Sequence, residues 1–267
     1  MKTYFVNSFT SEIFRGNPAG VCFPLRALSD ELMLSIAKEF GFSETAFVRQ
    51  LDEAGTYSIR FFSPRKEIPL CGHATLASAK VMFTEMNLRE VSFITAGNVR
   101  LDVTRHGDEI LMDFPVYDTT PATVPDAALS ALGISTTRNI VYSEANKIIL
   151  VEIGDPSKLA SLRPDFDSLI KTYDSIHGIL VTAKGGDGKF DYHYRYFWPW
   201  AGTNEDPVTG AVQTFLAKYW SLRLNKIRMR AFQSSERTGT MDVFLQENKV
   251  TISGKAIIIL EGELAVN

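Results

Sequence analysis

Four side chains in this 267-residue chain have the type and setting to move a proton: Glu44, Cys71, His73 and Asp206. Glu44 lies in Phe42-Ser43-Glu44-Thr45-Ala46-Phe47-Val48. On a strand it shares a face with Phe42, Ala46 and Val48. Desolvation on that face would push a carboxyl pKa upward, the usual route to an acid/base group near neutral pH. The alternative is an exposed glutamate at a strand end. Cys71 and His73 belong to Pro69-Leu70-Cys71-Gly72-His73-Ala74-Thr75, and Asp206 to Asn204-Glu205-Asp206-Pro207-Val208-Thr209-Gly210; both segments enter expected helices. A buried helix N-terminus offers backbone N–H groups and partial positive charge to a carboxylate or phosphate. That end disfavours an imidazolium, so a neutral hydrogen-bonding role suits His73, as does simple capping. Cys71 reads either as a catalytic thiol or as inert core. Asp206 before Pro207 reads either as a helix N-cap followed by an N1 proline or as a site residue. Gly16-Asn17-Pro18-Ala19-Gly20 reads as a tight loop after the first strand, and with no GxGxxG or Walker pattern it indicates no nucleotide. Nothing recommends His106 or His193 as site residues.

The elements that must position these residues repeat along the chain. Arg60-Phe61-Phe62-Ser63-Pro64 recurs 135 residues later as Arg195-Tyr196-Phe197-Trp198-Pro199. The same offset pairs Asp52 with Asp187, Tyr57 with Tyr192, Cys71 with Asp206 and Ala96 with Ala231. After a five-residue slip, Asp102-Val103 meets Asp242-Val243. Glu44 meets Ile179, so the acidic group has no counterpart in the second half. Two copies at so long a period indicate a duplication. Strands are expected over 2–8, 42–48, 56–63, 91–95, 99–105, 109–114, 139–153, 178–183, 190–198, 226–232, 240–246 and 249–260, with a hairpin turn at His106-Gly107-Asp108. Helices are expected over Leu28–Phe40 (N-cap Ser29, stop at Gly41), Ala74–Met86, Pro125–Leu132, 165–173 and Thr209–Trp220. The helices over Ala74–Met86 and Thr209–Trp220 hold matching repeat positions and are apolar around much of their circumference, as buried helices are. The expected fold class is α+β: two similar domains from an internal duplication, each a mostly antiparallel, barrel-like sheet around a central helix. The domains are expected at 1–118 and 119–267, joined near Pro115–Pro125, with the last strand free to pack back on the first domain. The loops entering the two central helices would then face each other across a cleft and clamp a small carboxylic acid.

Composition narrows the function classes. With 45% hydrophobic and 22% charged residues the chain is an ordinary globular sequence. Lys and Arg number 28 against 31 Asp and Glu, net −3, which offers no basic footprint for nucleic acid or an anionic membrane. Two cysteines and four histidines without CxxC or HExxH give no structural zinc pattern, and no metal is expected. There is no signal-peptide pattern and no run of about 18 apolar residues, so a cytoplasmic protein is expected. An exposed edge strand or apolar patch would permit a homodimer.

Taken together, Gly16-Asn17-Pro18-Ala19, Ser43-Glu44-Thr45-Ala46-Phe47, Arg60-Phe61-Phe62-Ser63-Pro64, Pro69-Leu70-Cys71-Gly72-His73-Ala74-Thr75-Leu76 and Glu205-Asp206-Pro207-Val208-Thr209-Gly210 resemble the phenazine-biosynthesis PhzF-like isomerase family over nearly the whole chain. The resemblance implies the diaminopimelate-epimerase-like fold and a cofactor-independent isomerisation in which one glutamate moves a proton between carbons of a small carboxylic acid. It makes Glu44 the acid/base, with His73 and Asp206 assisting in substrate placement or proton relay. Backbone groups at Gly72, His73 and Gly210 would hold the carboxylate; Asn17, Ser43 and Thr209 would complete the substrate site. The related epimerases use two cysteines, and only Cys71 matches one of them. Ala211 stands where family members commonly carry Ser, and Glu236-Arg237-Thr238-Gly239 where they carry a Gly-Arg-Pro-Gly-like segment, so the resemblance does not name the substrate. Two rivals stay open: an epimerase using Cys71 opposite Asp206 or Glu44, and a catalytically silent small-carboxylate-binding protein.

Overall fold

Ser29 accepts the N–H of Leu32 at 3.2 Å, and Gly41 closes the same helix in the left-handed region at φ 68°. The first expected helix therefore forms as α1 (Asp30–Phe40), and it buries Met33, Ile36 and Ala37. Burial of a side chain the size of Met33 or Ile36 contributes about 1.5–3 kcal/mol. A computed structural model describes residues 1–51, 55–173, 175–186, 188–201 and 203–266. The Asp52–Asp187 correspondence lies outside the described residues. The chain divides into two compact units, Met1–Asp113 with Thr251–Asn267, and Phe114–Val250.

The first unit carries β1 (Lys2–Ser8), β2 (Asn17–Phe23), α1, β3 (Glu44–Gln50), β4 (Thr56–Phe62), β5 (Glu67–Ile68), α2 (Gly72–Glu85), β6 (Glu90–Thr95), β7 (Arg100–His106) and most of β8 (Glu109–Pro115). The second carries β9 (Thr120–Pro121), α3 (Asp126–Leu132), β10 (Asn139–Ser143), β11 (Ile148–Ile153), α4 (Pro156–Ser161), α5 (Phe166–Thr172), β12 (Gly178–Lys184), β13 (Tyr192–Trp198), β14 (Thr203–Asp206), α6 (Gln213–Leu224), β15 (Arg228–Gln233) and β16 (Gly239–Leu245). Two strands follow, β17 (Lys249–Gly254) and β18 (Ala256–Glu263), and β18 pairs antiparallel with β1 in the first unit. The fold is thus mixed α and β, strand-rich with few helices.

The two units show the same succession of pairings. In the first, β1 and β2 are antiparallel, β2 and β3 parallel, β3 and β4 antiparallel, β4 and β6 parallel, and β6 and β7 antiparallel. In the second, β10 and β11 are antiparallel, β11 and β12 parallel, β12 and β13 antiparallel, β13 and β15 parallel, and β15 and β16 antiparallel. The parallel steps are spanned by helices, as parallel crossovers require. α2 is buried along most of its length, with Ala74, Ala77 and Ala79 allowing strands to approach closely and Leu76 and Phe83 filling the space beyond. It touches β1, β2, β3, β6, β7 and β18.

Several expected elements are corrected. Residues 17–20 are not a loop but the start of β2, paired with β1 so that Asn17 lies opposite Ser8. The turn is confined to residues before Asn17, and only Gly16 suits it: its φ is 71°, and a Cβ there would lie 2.2 Å from the Ser8 carbonyl oxygen. Gly16→Ala is expected to cost about 1–3 kcal/mol by strained φ and forced backbone movement, read as a lowered Tm. The expected single strands over 139–153 and 249–260 are each two strands. Helix α4, capped by Asp155 accepting from the Ser157 N–H at 2.8 Å, falls where no element was expected. The second central helix begins at Gln213 rather than Thr209. Gly210, Ala211 and Val212 carbonyls accept from Gln213, Thr214 and Phe215 in tight three-residue steps before the α pattern sets in. Asp206 consequently caps no helix; it ends β14.

Candidate functional site

The first unit gathers most of the expected residues. The parallel register of β2 on β3 sets Ala19 beside Glu44, which brings Asn17 and Ser43 to the same end of the pair. Cys71 immediately precedes α2, with Gly72 and His73 in its first turn. Ser8 fixes that turn by donating its hydroxyl to the His73 carbonyl at 2.7 Å. The side chains of Glu44, Cys71 and His73 converge at relative exposures of 4%, 7% and 6%. His73 Nε2 is 3.2 Å from Glu44 Oε2, and Nδ1 is 3.2 Å from Asn17 Nδ2 and 3.4 Å from Cys71 Sγ. Ser43 Oγ stands 3.5 Å from both His73 Nε2 and Asn17 Oδ1.

These contacts specify one proton arrangement. Asn17 donates its amide to Nδ1, which leaves the imidazole proton on Nε2, directed at the Glu44 carboxylate. Burial holds the imidazole neutral, its pKa lowered to about 3. The partial positive charge at the start of α2 acts in the same direction. The carboxylate beside it favours the imidazolium, and the cost of burying a charge outweighs that attraction.

The shift predicts a pH dependence. The unfolded chain protonates His73 near 6.5 and the folded protein only near 3, so stability is fully present above 6.5 and is lost as pH falls towards 3. The slope is about 1.4 kcal/mol per pH unit for this one group. Tm measured from pH 7 to 5 should fall more steeply for the wild type than for His73→Asn.

Asp206, Thr209 and Gly210 lie in the second unit. The Thr209 hydroxyl donates to Asp206 Oδ2, while the Thr209 N–H donates to Gln233 Oε1 at 2.7 Å. Gln233 Nε2 donates in turn to the Asp206 carbonyl at 2.6 Å, and the Tyr194 hydroxyl donates to the Thr209 carbonyl at 3.0 Å. Asp206 is thus a buried carboxylate held beside a turn that Gln233 and Tyr194 brace. Sequence reading did not find Ser8, Gln233 or Tyr194. Gln233 sits on a strand 27 residues from Asp206, and no local pattern signals the pairing.

The convergence of carboxylate, thiol and imidazole also forms a donor set: one atom from each of Glu44, Cys71 and His73 lies within 4.8 Å of the others. Among the described residues no helix is long and apolar enough to cross a membrane.

Comparison with known proteins agrees with the sequence motifs. The family model described as phenazine biosynthesis-like protein matches residues 6–262. A phenazine biosynthesis-like domain-containing protein of Mus musculus is 40% identical over 98% of both chains. An uncharacterized isomerase of Pseudomonas aeruginosa is 41% identical over 97% of this chain and 96% of its own. The crystal structure of a PhzF-family phenazine biosynthesis protein from Enterococcus faecalis superposes with a TM-score of 0.92 at 33% identity, covering 99% of each chain. A strand-rich fold that buries Glu44 against the first turn of α2, matched along nearly its full length by these relatives, places the chain in the PhzC-PhzF family of phenazine biosynthesis-like proteins.

Proposed function

We propose that this protein is an isomerase that moves a proton between carbons of a small carboxylic acid, with Glu44 as the general acid/base. The observation that carries the reading is a buried glutamate 3.2 Å from Nε2 of a histidine kept neutral by burial. The carboxylate takes a proton from one carbon as the C–H bond breaks, and the electron pair passes into the substrate's adjacent unsaturation. The resulting carboxylic acid returns the proton to another carbon. His73, remaining neutral throughout, orients Glu44 by donating from Nε2. The N–H groups of Gly72 and His73, which have no acceptor within their own helix, suit the substrate carboxylate. Asn17 and Ser43 line the substrate. The matching order of strand pairings supports descent of both units from one duplicated ancestor, and the chemistry as proposed calls for no cofactor.

The test is incubation with a panel of small unsaturated and amino carboxylic acids in D2O, followed by proton NMR. Solvent deuterium in a turned-over compound supports the reading. Binding without exchange across the panel overturns it in favour of a silent carboxylate-binding protein. A second reading, a thiol-assisted epimerase, draws support from Cys71 Sγ lying 3.4 Å from His73 Nδ1, in the same buried cluster as Glu44. Cys71→Ala retains exchange under the first reading and loses it under the second.

A further inference from the structure

We infer that the second unit carries a binding site for a single-ring aromatic carboxylate, formed by one face of α6, the segment before β9, and β10. Phe215, Lys218, Tyr219, Leu222 and Arg223 follow the three-and-four spacing that sets residues on one side of a helix. The Tyr117 N–H donates to the Thr214 carbonyl at 2.8 Å, which pins the segment 117–119 to α6. A cavity of about 130 Å³ is lined by these elements, close to the ~150 Å³ that holds one benzene molecule in an engineered apolar cavity. Tyr117, Tyr219 and the buried Phe215 and Val141 give it aromatic and aliphatic walls, and the exposed Leu222 leaves it open to solvent. All of these residues lie in Phe114–Val250, whereas Glu44, Cys71 and His73 lie in the first unit, so the site stands whether or not Glu44 moves a proton.

Two cations line the same cavity, and they are held differently. The Arg223 guanidinium lies 3.6 Å from the centre of the Tyr219 ring, with Nε donating to Glu152 Oε2 at 3.2 Å and Nη1 to the Tyr219 carbonyl at 3.4 Å. Glu152 and Tyr219 are themselves buried and joined by a 2.6 Å hydrogen bond from the Tyr219 hydroxyl. Arg223 therefore meets a ligand already oriented, with N–H donors beyond those two contacts. Lys218 instead pairs through Nζ with Asp118 Oδ1, on a side chain 82% exposed. A pair so exposed adds little to stability, so its carboxylate exchanges readily for another. Asp118 thus stands where a ligand carboxylate would sit, and the ring of such a ligand would fill the apolar space beside it. A cationic ligand is disfavoured, because Arg223 already covers the electron-rich face of Tyr219.

The probe is 4-fluorobenzoate, followed by fluorine NMR on the full-length protein. It should bind the wild type, and the uncharged isostere 4-fluorobenzamide should bind at least about 10-fold more weakly. Lys218→Met, at a half-exposed position, should weaken binding of the benzoate by about 10-fold. Asp118→Asn should tighten it by about 3-fold, because the competing carboxylate is gone. These opposite signs separate the site from the start of α2, the other place suited to a carboxylate, since a probe bound there would respond to neither variant. No binding to the wild type, equal binding of the benzamide, or an affinity unaltered in both variants overturns the proposal.

Discussion

Glu44→Gln is expected to lower solvent deuterium incorporation by about 10²–10⁴-fold while the protein keeps its fold. Glutamine matches the glutamate in shape, and its carbonyl oxygen still accepts the Nε2–H of His73, now 3.2 Å from Glu44 Oε2. The packing around a side chain only 4% exposed is therefore preserved. What disappears is the ability to take and return a proton. The residual rate would reflect binding and orientation alone. Exchange by NMR and Tm by calorimetry check the two halves of the expectation. Retained exchange in a folded Glu44→Gln protein would remove Glu44 from the chemistry.

Arg195→Met should cost about 3–5 kcal/mol, a Tm drop on the order of 10 °C. Arg195 forms a two-pronged pair with Glu205, Nε to Oε1 and Nη2 to Oε2 both at 2.7 Å, and its Nη1 also donates to the Leu162 and Leu159 carbonyls at 2.8 and 3.3 Å. Its guanidinium lies over the Phe197 ring at 4.9 Å. Methionine replaces the stem but leaves a carboxylate and the carbonyls at the end of α4 without their donor. Arg60, its counterpart in the first unit, provides the control. It makes the same two-pronged pair with Glu67 at 2.7 and 2.6 Å and lies over Phe62 at 5.2 Å. Its side chain is 28% exposed against 7% for Arg195, so solvent takes over much of the loss. Arg60→Met should cost about 1 kcal/mol. Equal losses in the two variants would show that burial does not set the difference.

Local chemistry made part of this molecule readable in one dimension. Ser29 and Gly41 bound α1 because capping is decided within a few residues, whereas the apolar run around Glu44 left its burial open against an exposed strand end, and the structure buries it. His73 could be expected neutral because a helix start repels positive charge whatever surrounds it. The failures have a common cause. Asp206-Pro207 carries a strong helix-start signal, yet Asp206 is held by Thr209 and its carbonyl by Gln233, so the chain turns first and α6 begins at Gln213. Asn17-Pro18 reads as a turn, yet pairing with β1 draws it into a strand. In both places pairing beyond the local turn, with Gln233 in one and with β1 in the other, outweighs a local preference worth about 1 kcal/mol.

The sequence by itself determined the family, the strand-rich character and the most clearly capped helix, since each is written in neighbouring residues or in an ordered set of motifs. Tertiary structure alone decided the parallel register that sets Asn17 and Ser43 beside His73, the convergence of Glu44 with Cys71, and the difference in burial between Arg60 and Arg195. Those features depend on which strands pair and how much solvent each side chain loses. Both are properties of the packed chain, because the energy of a buried charge is set by all the atoms that replace its water.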